Sequence, residues 1–164
     1  MSYPFSLPQN YKIIAATPNG AQSDTALITL DSISLKYAHK VWMVFVFQQV
    51  AANATVITPM VGATVATANV AITFAARWWL NVDISLTDTL VEQAAAVTAT
   101  TTGGVTTDQM IVIEIDPSDV LAQLGTYDCL GGTIAASGVA NFVAGFYIVA
   151  PRYQQATPPS MIVD

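Results

Sequence analysis

Val41-Trp42-Met43-Val44-Phe45-Val46-Phe47 is an unbroken apolar run in which every residue but Met43 is aromatic or β-branched. Such residues suit a pleated, packed strand. Successive side chains of a strand point to opposite faces. A strand over 41–50 is therefore apolar on both of its faces. One face needs a core, and the other needs a cover, supplied by a neighbouring protein or by an arm of the chain. Seven residues are too few to cross a bilayer, where a helix needs about 20.

Shorter segments of the same kind flank this run. Upstream, Thr25-Ala26-Leu27-Ile28-Thr29-Leu30 reads as a strand, and Ile33 to Tyr37 as an edge strand or loop. Thr17-Pro18-Asn19-Gly20 is a turn signal. Residues 1–10 read as an extended arm, because Pro4 and Pro8 exclude regular helix. Downstream, strands are expected at 54–58, ended by Pro59, and at 70–74. Over 77–84, Trp78, Leu80, Val82 and Ile84 share one face, and Arg77, Trp79, Asn81 and Asp83 the other. The small, Thr-rich stretch 94–102 allows a further strand, and Gln109 to Asp116 is a strong one. Asp116-Pro117-Ser118-Asp119 opens a helical turn over 120–124, stopped by Gly125. Tyr127 to Leu130 is a short strand broken by Gly131-Gly132, and Asn141 to Val149 is the last, ended by Pro151. Pro158-Pro159 holds the tail, 152–164, extended behind an apolar tip at Met161-Ile162-Val163.

Eight or nine short strands between turn signals make this an all-β chain, an antiparallel sandwich or barrel. No linker divides it, so residues 1–164 form one domain.

Charge narrows the function. Only 10% of residues are charged while 53% are hydrophobic, against about 25% charged in an average domain. Such an exterior suits contact with protein, in a packed assembly. The bases are Lys12, Lys36, Lys40, Arg77 and Arg152, and the net charge is -6. A nucleic-acid groove needs clustered bases, so direct nucleic-acid binding is not expected, nor is an anionic membrane. Met1-Ser2-Tyr3-Pro4-Phe5 carries no basic stretch leading into an apolar one. The chain is expected to be made in a cytoplasm and kept there or carried in a particle.

Catalytic chemistry finds no constellation. The acids, from Asp24 to Asp164, mostly flank turns and strand ends, where Asp caps backbone N–H groups. Asp116, Asp119 and Asp128 form a loose cluster without a calcium-loop pattern. Cys129 is the single cysteine and reads as a small buried hydrophobe. His39 reads as a polar residue at a strand entrance. Gly103-Gly104 and Gly131-Gly132 lack the base and following helix of a phosphate cradle. No enzyme activity, cofactor or metal is expected. Trp78-Trp79 place one ring in the core and the other, Trp79, outward as an interface anchor.

The order Met110 to Asp116, Asp119-Val120-Leu121, Tyr127 to Leu130, Phe146 to Tyr153 and Pro158 to Asp164 resembles small virion structural proteins of tailed bacteriophages, of the capsid decoration or cement type. The resemblance spans roughly residues 24–164 and is sharpest over 109–164; residues 1–23 have no match in it. It implies a jelly-roll-like β-sandwich on the exterior of the virion, bound to the major capsid protein and acting as a homo-oligomer, a dimer or trimer. It implies stabilised contacts between capsid subunits. Beside it, composition singles out Tyr3, Phe5, Pro158, Pro159, Met161 and Ile162 on the two arms as contact residues. The alternative is a carbohydrate- or receptor-binding module stacking sugars on Trp79, Tyr127 and Tyr147.

Overall fold

A computed structural model describes residues 7–18, 21–23, 26–138, 141–153 and 160–162. Tyr3, Phe5, Pro158 and Pro159 lie outside them. Two antiparallel sheets face each other across one core. The larger is built from β1 (Lys12–Ala15), β12 (Phe142–Pro151), β4 (Ala38–Gln48), β10 (Gln109–Ile115), β7 (Arg77–Asn81) and β8 (Val91–Glu92), in that order. The smaller runs β2 (Ile28–Thr29), β11 (Cys129–Ile134), β5 (Val56–Gly62), β6 (Val70–Ala71). Beside it, β3 (Ile33–Ser34) pairs β11 and β9 (Ala99–Thr100) pairs β5.

The pairing is nested. The first strand pairs the last (β1 with β12), β2 and β3 pair β11, β4 pairs β10, and β5 pairs β6. The chain thus behaves as one long hairpin rolled on itself, crossing between the sheets as it goes. That is a jelly roll, with β7 and β8 added beyond β10.

The core follows from alternation. Val41, Met43, Phe45 and Phe47 of β4, Ile111, Ile113 and Ile115 of β10, and Val143, Tyr147 and Val149 of β12 point inward and are buried. Tyr147 donates from Oη to the Asp31 carbonyl at 2.7 Å. A buried polar tie links the sheets: Gln109 Nε2 donates to Gln49 Oε1 at 2.8 Å, and Gln49 Nε2 to Thr101 Oγ1 at 2.9 Å.

Four sequence expectations change here. A single helical turn, α1 (Leu7–Asn10), stands where Pro8 was taken to exclude helix; proline is tolerated in a helix's first turn, where its missing N–H costs nothing. β5 continues through Pro59 instead of ending there. The Pro59 carbonyl accepts from Ile72 N, so the missing N–H also falls on the side of the short β6, away from β11. β11 runs through Gly131-Gly132, because a Cβ at Gly131 would lie 2.5 Å from Ser32 Oγ and one at Gly132 2.9 Å from Leu30 Cδ1. Finally, β7 stops at Asn81, and the chain leaves the sheet before Val82 and Ile84. The helix after Asp116 is α2 (Pro117–Gln123), capped by Asp116, whose side chain accepts from Ser118 N.

Candidate interaction surface

The larger sheet has a second face, turned away from the core. Its composition follows from the register. One row across it is Ile13, Ile148, Trp42, Glu114 and Arg77. The next is Ala15, Phe146, Val44, Val112, Trp79 and Glu92. A third is Ala144, Val46, Met110 and Asn81. The sheet is therefore apolar outward across β1, β12 and β4 and at Met110 and Val112 of β10, with Trp79 the apolar residue of β7. Trp42, Val46, Met110, Val112, Trp79, Phe146 and Ile148 are half-buried, and Ile13 is 51% exposed. An antiparallel sheet with one wet face ordinarily alternates apolar inward and polar outward. A contiguous apolar face of this kind is a candidate interaction surface.

The two-sided apolarity of 41–47 is the sequence signal for this face. Part of the cover comes from the chain itself: the Tyr11 ring meets Trp42 edge-on, with centroids 6.0 Å apart.

Charges gather at one end of the face and pair among themselves. Lys40 Nζ lies 3.0 Å from Glu114 Oε1, and Trp42 Nε1 donates to Glu114 Oε2 at 3.0 Å. Arg77 Nε donates to Glu92 Oε1 at 2.9 Å, and its Nη1 is 3.7 Å from Glu114. The guanidinium lies 4.9 Å over the Trp79 ring, a cation–π contact. Burial pushes the Glu114 carboxyl up. The hydrogen bonds from Lys40 and Trp42 and the charges of Lys40 and Arg77 outweigh it and hold the carboxyl below its usual range.

A second apolar feature lies at the β1 edge. A groove of about 550 Å³ runs between α1, β1 and the segment 160–162, lined by Pro8, Tyr11, Ile13, Ile14, Met161 and Ile162 among others. Both ends of the described chain reach this groove.

The contact residues expected from sequence separate here. Trp79 is on the outward face. Ile162 is 57% exposed at the groove. Met161 is 2% exposed and belongs to the chain's own core, its carbonyl accepting from Ser34 N at 2.6 Å. It docks on its own domain, so it is not free to reach a neighbour. The three aromatics of a sugar platform are not brought together. Trp79 is partly capped by Arg77, Tyr147 is fully buried, and Tyr127 packs against the core beyond α2. Cys129 is buried, and Asp116 is spent on capping α2. Asp128 faces Lys36 at 3.9 Å. Among the described residues no helix is long and apolar enough to cross a membrane.

No protein-family model and no curated protein matches the chain significantly. Solved structures give distant likenesses. One described as "CBM4 structure and function" is 12% identical over 88% of both chains, with a TM-score of 0.32. The structure of infectious bursal disease virus Gt strain is 10% identical over 89% of this chain and 42% of that one, with a TM-score of 0.24. Desmodium yellow mottle tymovirus is 10% identical over 96% and 97%, with a TM-score of 0.17. At these scores no property of those proteins passes to this chain.

Proposed function

We propose that this chain is a non-catalytic structural protein of a tailed-phage virion, seated on the capsid exterior, where it stabilises contacts between major capsid subunits. The observation that carries this reading is the apolar outward face of the larger sheet. A chain that turns this much apolar surface away from its own core, with few charges elsewhere, is suited to lie against protein. The phage setting comes from the resemblance of residues 109–164.

The mechanism is mechanical. The jelly roll is a rigid platform. Its apolar groove at the β1 edge presents Ile13 and Ile162 beside both ends of the described chain. Burying such a side chain contributes about 1.5–3 kcal/mol. Repeated contacts on a closed shell reinforce one another, so each needs only modest affinity.

Cosedimentation with undecorated heads of the encoding phage tests the proposal. Removing 154–164 would take Met161 out of the core, so the cleaner variant is Ile162→Glu. The wild-type chain should bind saturably, and Ile162→Glu should bind at least tenfold more weakly while keeping its circular dichroism. A chain that stays in the supernatant at every concentration would overturn the proposal.

A further inference from the structure

We infer that the hollow beside the loop 82–90 is a docking site for a segment of a partner protein in which apolar side chains stand between lysines or arginines. The hollow lies at the end of the larger sheet away from Lys40 and Glu114. It is separate from the groove at the β1 edge, and the capsid reading does not specify its occupant.

β7 ends at Asn81, and the chain leaves the sheet there. Side chains hold the loop that follows. Asn81 is 3% exposed; its Nδ2 donates to the Thr87 carbonyl at 2.7 Å, and its Oδ1 accepts from Asp83 N at 2.9 Å. Asp83 Oδ1 accepts from Ser85 N at 3.0 Å, and Thr87 Oγ1 from Thr89 N at 3.1 Å. The loop is also tied to the chain before β10. Ile84 N donates to the Asp108 carbonyl at 2.9 Å, and Thr107 Oγ1 donates to the Val82 carbonyl. Leu86 on this well-tied loop is nonetheless 84% exposed. Ile84, Leu86, Leu90 and Met110 line a hollow of about 670 Å³ together with Asn81 and Asp88, among others. Met110 also belongs to the outward face, so the hollow continues that face past the end of β7. A surface already ordered in the free chain loses little conformational freedom on binding.

Charge selects the occupant. Asp88 lines the hollow, and Asp83 and Asp108 lie on the two segments that the Ile84 hydrogen bond joins. None of the three is in an ion pair among the described residues. The five bases all sit towards the other end of the strands. Lys12 is in register with Val149 and, through it, Val41, Lys40 pairs Ala150, and Arg77 pairs Glu114. Arg152 donates to the Ala38 carbonyl, and Lys36 lies beside Asp128. An acidic segment would meet three aspartates with no base to offset them. A basic segment without apolar side chains would leave Leu86 and Leu90 in water. A segment carrying both gives an apolar centre and a charge-complementary rim.

Fluorescence anisotropy of the full chain with a labelled synthetic peptide tests this. The probe holds two leucines between lysines in a glycine–serine frame. One control peptide replaces its lysines with glutamates, and the other replaces its leucines with serines. The probe should bind saturably, with backbone amide shifts confined to residues 81–90 and 107–110. Both controls should bind at least tenfold more weakly, as should the probe to Leu86→Ser and to the double variant Asp88→Asn, Asp108→Asn. These three side chains make no hydrogen bond within the loop, so the variants should keep the wild-type circular dichroism. Absence of saturable binding, a control peptide that binds as well as the probe, amide shifts elsewhere on the chain, or folded variants that bind like wild type would each overturn the inference. No heads enter the experiment, so its failure leaves the capsid reading standing, and a failure of head binding leaves this site standing.

Discussion

Glu114 shows how one side chain organises the end of the outward face. It takes Lys40, Trp42 and Arg77 around a single carboxylate on β10. Its pKa is depressed in the folded chain, so its contribution to stability is present above the unfolded value, near 4.3. That contribution is lost as pH falls through the lower, folded value. Urea midpoints measured from pH 7 down to pH 3 should therefore drop on acidification, and Glu114→Gln should flatten that part of the profile. A variant whose profile matches wild type would show that the carboxylate does not anchor this end. Little of this was legible in the chain. Lys40, Trp42, Arg77 and Glu114 are spread over 75 residues, and only strand register brings them together. Trp79 was legible as outward-facing from alternation alone, but the Arg77 guanidinium over its ring was not.

At the scale of elements, legibility follows length and locality. β4, β10 and β12 are 7 to 11 residues long and rich in β-branched and aromatic residues, so pattern alone marks them. β1 is four residues, Lys12-Ile13-Ile14-Ala15, and its partner β12 begins 127 positions further on than Ala15. Nothing local announces it. Pro59 and Gly131-Gly132 read as breaks because proline and glycine usually are; their neighbours in the smaller sheet decide otherwise, and those neighbours are distant in sequence. The C-terminal segment is the other case. Its apolar tip was legible as something that must dock, but not that Met161 docks on the chain's own core while Ile162 stays exposed. Met161→Ala should therefore lower the unfolding free energy by about 2–5 kcal/mol. In urea this appears as a lower midpoint at unchanged slope. A midpoint shift of less than a few tenths of a molar would mean that the segment 160–162 does not hold its place in the fold.

On the scale of the whole molecule, the fold and the proposed role are linked by the same shortage of charge. A rolled hairpin buries one face of each sheet. The larger sheet also spends apolar residues on its other face, across β1, β12, β4, β10 and β7. The proposed role draws on this face and on the groove at the β1 edge, where both ends of the described chain lie. Clamping, rather than mere attachment, is the central claim, and heating tests it most directly. Undecorated heads filled with DNA are warmed with and without a saturating amount of the chain, and DNA release is followed with an intercalating dye. Release should shift upward by several degrees when the chain is bound, and Ile162→Glu should return it to the undecorated temperature. Release at the same temperature from bare heads and from heads shown to carry the chain would contradict the account.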